Sequence, residues 1–277
     1  MVVLPLLVAC KGVGVNIDRP VASDFTDPDV AASWANIGSA FAVFLPLYEG
    51  IQDAASADPD AACPQVSVEG GQVTLVGGCT DADGVAWEGS VSVETTPERT
   101  TVTWDAFSRT DPGETRGAIT GSGWLTEPDG TVRDYEAAYT DAHREMEVDY
   151  TGTLSSRPDG VGDSFSGSGH IVRIGGAAGR GSVEASTVEQ LRNGSICEHE
   201  SLSGRSSFVQ DGRTLEVVYD GANDCDPEST VRWFVDGEDL GELEGVSCAT
   251  ARGPGGWALL LGLLTAVRRR ASGGREP

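Results

Sequence analysis

Lysine is almost missing from this chain. Lys11 is the only one among 19 basic residues, and 43 Asp and Glu outnumber them, giving a formal charge of −24. Between residues 10 and 248 the balance is 14 basic to 42 acidic side chains, or −28. A body this acidic repels both phosphate backbones and anionic headgroups, which excludes nucleic acid and charge-driven lipid binding. Cations and basic proteins remain as partners that the charge would attract.

Histidine is scarce too, with three in the chain. His199-Glu200-Ser201-Leu202-Ser203 begins like H-E-x-x-H but lacks the second His. It also lies beside a strand pattern, whereas that zinc motif needs a helix to bring both imidazoles to one face. Gly162-Asp163-Ser164-Phe165 is superficially similar to the start of a GDSL-type esterase. Neither His170 nor His199 has an Asp three residues earlier to complete that family's base, so a hairpin turn is the better reading. No G-x-S-x-G elbow falls between a strand and a helix. The Gly-x-Gly stretches lie inside strands and open no helix, which excludes a phosphate-cradling loop. Asn193-Gly194-Ser195 marks a turn. Paired carboxylates could run glycoside hydrolysis, but so many acids leave no pair distinguishable.

No two of the six cysteines are spaced C-x-x-C, which argues against thioredoxin-like chemistry and the common zinc sites. Setting aside Cys10 and Cys248 near the ends leaves Cys63, Cys79, Cys197 and Cys225. An even set in an exported chain predicts disulfides. Of the three possible pairings, the sequential one, Cys63–Cys79 and Cys197–Cys225, is favoured because each pair brackets a turn-rich stretch. No cofactor is expected, and calcium is the alternative the residues offer. Asp81-Ala82-Asp83-Gly84 and the loop Asp220 to Asp226 cluster oxygen ligands, although neither has the 12-residue EF-hand pattern.

Period separates the chain into two parts. Asp27-Pro28 supplies an N-cap and a first-turn proline. Val30, Trp34, Ile37, Phe41, Phe44, Tyr48 and Ile51 then recur every three or four residues, which predicts one amphipathic helix to about Asp53, bent near Pro46. From about Gln65 to Val246 the period is two. Met146, Val148, Tyr150, Gly152 and Leu154 alternate with Glu145, Glu147, Asp149, Thr151 and Thr153, as a half-buried strand requires. Similar runs, separated by Asp-Gly turns at 83–84, 129–130, 159–160, 211–212 and 236–237, predict about ten strands in an antiparallel meander. Several strands place Gly in the middle of the apolar face, among them Gly121, Gly152 and Gly167. Glycine there calls for a close approach, and the expected occupant of such a trough is the helix. The predicted fold is therefore mainly β: a long meander, a curved sheet or barrel-like, with one N-terminal helix packed on it. An outer-membrane barrel is excluded by acidic outer faces.

Both ends carry address-like patterns. Val2 to Val8 is apolar, and Leu7-Val8-Ala9-Cys10 resembles the lipobox of a bacterial lipoprotein signal. That resemblance implies that Cys10 is acylated and becomes the mature N-terminus. At the other end come Cys248, then Gly253-Pro254-Gly255-Gly256, an apolar run of 11 residues from Trp257 to Val267, and Arg268-Arg269-Arg270. The run is below the ~18 residues of a spanning helix. This order resembles the MYXO-CTERM sorting tails of myxobacterial surface proteins, which implies that Cys248 is the processing and attachment point. Gly255-Gly256 is also similar to GlyGly-CTERM tails, but those lack such a cysteine. The basic cluster is followed by a polar appendage, Ala271 to Pro277, where such tails usually end.

The expected organisation is a signal peptide (1–9), a tether (10–26), a helix and linker (27–62), an antiparallel β domain (63–247) and a sorting or anchor tail (248–277). The expected function is that of an exported, surface-anchored envelope lipoprotein facing an oxidising compartment. It would be attached to the membrane through lipid or tail. It would act as a non-catalytic binding or structural module, with a hydrophobic ligand under the helix or a cationic partner. A secreted carboxylate-dependent hydrolase is the alternative.

Overall fold

The computed structural model describes residues 24–114, 117–126, 131–156, 162–175, 180–193, 201–219, 231–244 and 246. The apolar stripe forms two helices, α1 (Pro28–Gly38) and α2 (Ala40–Ser56), rather than one. Asp27 caps α1 by accepting from the Asp29 N–H at 3.0 Å, with Pro28 in the first turn. Ser39 breaks the run: it is extended, and its hydroxyl accepts from the Ala42 N–H at 3.4 Å to cap α2. The helices are bent by 43° there. The bend expected at Pro46 is thus located at Ser39, and Pro46 sits inside α2.

Fourteen strands follow: β1 (Gln65–Glu69), β2 (Gln72–Val76), β3 (Cys79–Thr80), β4 (Ala86–Thr95), β5 (Arg99–Thr110), β6 (Ile119–Thr126) and β7 (Val132–Asp141). The rest are β8 (Met146–Ser156), β9 (Asp163–Arg173), β10 (Gly181–Arg192), β11 (Ser203–Gln210), β12 (Arg213–Tyr219), β13 (Arg232–Val235) and β14 (Glu238–Glu242). They form one antiparallel sheet in chain order, with β3 pairing β4 beside β2. Among the described residues the sheet does not close, and β1 and β14 are its two edges. The meander is the predicted one, with more strands than the expected ten. The hairpins Gly70-Gly71, Asp211-Gly212 and Asp236-Gly237 carry positive φ at both positions, the backbone of tight type I′ connections.

Sheet curvature comes from bulges. Register shifts occur between Glu88 and Ser90, Trp104 and Phe107, and Thr187 and Gln190. Ala106 and Glu189 adopt φ of 47° and 50° at these points. Each bulge adds a residue to one strand, bends it and increases twist, so the sheet curls around α2. That helix packs against β2, β4, β5, β7, β8, β9 and β10, while α1 meets β11. As a result α2 is not half-buried. Phe41, Val43, Phe44, Leu45, Leu47, Tyr48 and Ile51, which point all round its axis, are each at most 4 % exposed. The expected N-terminal helix packed on the sheet is therefore present, as a pair of helices, with α2 buried more deeply than one apolar stripe would require.

The glycines also turn out differently from expectation. A methyl group at Gly152 would fall 2.5 Å from the Tyr135 ring, and one at Gly167 would fall 2.5 Å from that of Tyr150. At Gly123 α2 comes near, through Leu47 at 3.3 Å. Gly152 and Gly167 therefore seat tyrosine rings of neighbouring strands, and Tyr135 in turn carries the helix. Tyr135 and Tyr150 stack at 6.4 Å and 9°, and Phe44 meets Tyr135 edge-on at 5.1 Å. Close approach of helix to sheet is provided instead by α-helical glycines: a methyl at Gly38 would lie 2.5 Å from Phe208.

Candidate functional site

Burying the N-terminal half of α2 on all sides creates a polar problem at its first turn and at its proline. Pro46 has no N–H, so the Ala42 carbonyl loses its partner four residues on. Arg144, in the β7–β8 turn, donates Nη1 to that carbonyl at 3.2 Å. Tyr139 donates its hydroxyl to Val43 O at 3.2 Å, and Tyr135 donates to Ala40 O at 3.1 Å. At the N-terminus of α2, the Ala40 N–H donates to Thr187 Oγ1 and the Phe41 N–H to Gln190 Oε1, both at 3.0 Å. These two β10 residues flank the Val188–Glu189 bulge, which turns Gln190 inward. Thr187 and Gln190 are each 2 % exposed. Burial holds the phenols neutral: Tyr48 is pushed up to about 12, and Tyr135, Tyr139, Tyr150 and Tyr219 are also raised. This collar went unforeseen, although Pro46 in a buried helix signals that some outside donor must exist.

The C-terminal end of α2 opens on a cleft of about 500 Å³. Its walls are α2 from Asp53, the linker Ala57 to Pro64, the Thr80–Asp83 turn, Trp87 and Arg109. Arg109 organises it. Its Nη1 lies 3.2 Å from Asp53 Oδ1, its Nη2 lies 3.5 Å from Asp111, and its guanidinium sits 5.2 Å from the Trp87 ring centroid. Trp87 donates Nε1 to Asp81 Oδ2 at 3.0 Å, and Asp81 Oδ1 accepts from the Asp83 and Val85 N–H groups at 3.0 and 2.9 Å. The Trp87 hydrogen bond comes first among the causes that hold the Asp81 carboxyl below its ordinary value. Asp53, Asp58, Asp81 and Asp83 against Arg109 leave the cleft electronegative. Asp53, the Asp81–Trp87 segment and Arg109 are far apart in sequence, and nothing in the chain's periodicity brings them together.

Cys63 lines the same cleft and is bonded to Cys79, with Cα atoms 5.9 Å apart. The first expected disulfide is therefore present, and it is compatible with an oxidising, non-cytoplasmic compartment. Cys10, Cys197, Cys225 and Cys248 lie outside the described residues, as do His199 and the loop 220–226. Both oxygens of Asp81 are engaged, Oδ1 by its own turn and Oδ2 by Trp87, and no group of three or more His, Cys, Asp or Glu is gathered for a metal among the described residues. Ser164 is a buried strand residue of β9. His170 faces outward, with Nδ1 3.0 Å from Glu184 Oε1. Asp163 is raised above the ordinary carboxyl value, first by burial and against the pull of Ser156 and Arg133. It lines no part of the cleft.

Among the described residues no single helix is long and apolar enough to cross a membrane; α1 and α2 pass together only as a bent pair, and both are largely buried in the sheet. No protein-family model, no curated protein and no solved structure matches this chain.

Proposed function

We propose that this chain is an exported, surface-anchored lipoprotein of a bacterial envelope that works as a non-catalytic binding or structural module. The observation that carries the non-catalytic part is the filling of the sheet's concavity by α2, whose first turn is tied to the sheet by hydrogen bonds at Ala40, Phe41 and Ala42. A carrier of hydrophobic ligands would need that helix to leave, breaking these bonds and exposing Phe41, Phe44 and Leu47. Ligand contact therefore falls to the outer surface and to the cleft, whose charge suits a cationic group. The hydrolase alternative has weaker support. Asp53 is already paired with Arg109, and Asp81 accepts three hydrogen bonds and is held ionised. A general acid would need the opposite shift. Anchoring rests on the resemblances at Cys10 and Cys248, with the Cys63–Cys79 disulfide compatible with export.

Intact mass of the protein purified from its own membranes tests the placement. The expected product carries acyl chains on Cys10 and ends near Cys248; an unprocessed, unacylated chain would refute it. The same preparation should yield no stoichiometric lipid on extraction from the folded domain and no turnover of chromogenic glycosides. Lipid retained after removal of the acylated terminus would instead favour a carrier.

A further inference from the structure

The two edges of the open sheet are built differently. β14 places Glu238, Asp239 and Glu242 within five residues, and Gly241 sits at φ 94° beside a register shift against β13. Charges and bulges of this kind block edge-to-edge pairing. Laid antiparallel on a second β14, Glu238 would face Glu242. β1 carries no comparable guard. It reads Gln65-Val66-Ser67-Val68-Glu69, with no Pro or Lys, in unbroken register with β2. Four of its five residues are exposed, and Val68, whose cross-strand partner Val73 is in the core, remains 46 % exposed.

We propose that β1 is an interaction surface and that its partner is β1 of a second copy, antiparallel about a twofold axis through Ser67. In that register Val66 faces Val68 of the second copy and Gln65 faces its Glu69. The Gln amide can donate to the carboxylate, and the exposed valine gains an apolar neighbour on the inner side. Ser67 faces its own equivalent. The sequence of β1 is thus complementary to its own reverse, which is what an isologous contact requires, and strand addition supplies main-chain hydrogen bonds. Two forces limit the affinity. Each copy carries −24, so association strengthens as salt screens the repulsion. One five-residue strand also buries less than the roughly 1,000 Å² of a stable interface, so the dimer is weak and concentration-dependent.

Sedimentation equilibrium of the full chain, over rising concentration at low and high salt, should show a reversible monomer–dimer equilibrium favoured by salt. Ser67→Lys sets two like charges opposite each other, and Val68→Lys puts a charge against Val66 of the second copy; each should weaken the dimer about threefold or more, with unchanged melting. Glu238→Lys on β14 should leave it intact. Paired Cα atoms across such a ladder lie about 4.5–5.5 Å apart, within disulfide reach. Mild oxidation of Ser67→Cys should therefore link two copies through the introduced thiols, identified in the peptide map. Gln65→Cys should not link to itself, because the two positions would be roughly 14 Å apart at strand rise. A monomer at every concentration and salt overturns the proposal. So does a dimer indifferent to both lysine variants, one lost with Glu238→Lys, or self-linking at position 65 as efficient as at 67. A foreign extended peptide seated on β1 of a strictly monomeric chain overturns it as well.

Discussion

Arg144 should be needed only because Pro46 is there. Inside α2 the proline leaves the Ala42 carbonyl without its helical donor, and the Arg144 guanidinium takes that place at 3.2 Å. Arg144→Met keeps most of the apolar stem and removes the donor. A buried carbonyl left unsatisfied costs about 1–3 kcal/mol. The Arg144 side chain is 23 % exposed, so water can replace part of the bond, and about 1–2 kcal/mol is expected. For a domain of this size that corresponds to roughly 2–8 °C in melting temperature. Arg144 also lies 3.6 Å from Asp141 Oδ2, and the single variant loses that contact too.

A double-mutant cycle separates the two effects. In Pro46→Ala the new N–H can bond the Ala42 carbonyl along the helix, so Arg144→Met in that background should lose only the Asp141 contribution. Urea unfolding of the four proteins, with the disulfide intact, gives the coupling directly. A coupling of about 1 kcal/mol or more is expected. Additivity within about 0.5 kcal/mol, the usual behaviour of independent sites, would refute the account of how this helix tolerates its proline.

Tyr48, Tyr135, Tyr139, Tyr150 and Tyr219 are all the tyrosines of the chain, and burial raises every one. The unfolded chain ionises near pH 10 and the folded chain later. Above about pH 10 the folded state therefore binds more protons, and stability falls as pH rises, with no effect below. Spectrophotometric titration should show no tyrosinate forming near pH 10, then one cooperative step coincident with unfolding by circular dichroism; even one normally titrating phenol would contradict the burial. Cys63 and Cys79 are separated by 16 in sequence, and closing a loop of that size stabilises by about 3 kcal/mol in the chain-entropy model. The Cys63→Ser, Cys79→Ser double variant should lose stability of that order in urea, and a loss under about 1 kcal/mol would show the linker to be held by other contacts.

Strands such as β8 were legible because one face is buried and the other wet, so polarity alternates strictly. β10 was not. Its inward set is Val183, Ala185 and Thr187, and then the bulge changes phase so that Gln190 and Arg192 point inward. Their job is to serve α2 and its surroundings, and a polar inward set erases the apolar period that marks a strand. The helical stripe was legible for a related reason, but its break was hidden. Ser39 lies inside an uninterrupted run of apolar spacing, and only tertiary packing decides that its hydroxyl caps a second helix. All-round burial was hidden as well, because the small residues Ala42, Gly50 and Ala54 on the far face of the stripe read as neutral. The cleft was invisible because its charged pair, Asp53 and Arg109, is separated by 56 residues.

The tyrosines of β7 join these features into one device. A phenylalanine or leucine could fill the space above a strand glycine, but it could not also donate to a helix whose backbone Pro46 has disturbed. Tyr135 does both: its ring occupies the space over Gly152, and its hydroxyl donates to Ala40 O. Tyr139, paired with Gly121 across the ladder, donates to Val43 O. The two functions separate by substitution. Tyr135→Phe keeps the ring and should cost about 1 kcal/mol, the net worth of one buried hydrogen bond. Gly152→Val places its Cβ 2.5 Å from both the Tyr135 ring and the Ser166 carbonyl oxygen, displacing ring and hydrogen bond and straining the β8–β9 ladder, and should cost well over the ~1–3 kcal/mol of ordinary overpacking. Combining them should cost less than their sum, since the hydrogen bond can be lost only once. If Gly152→Val melts like the parent, the ring does not need the glycine, and the curled sheet must hold α2 by other means.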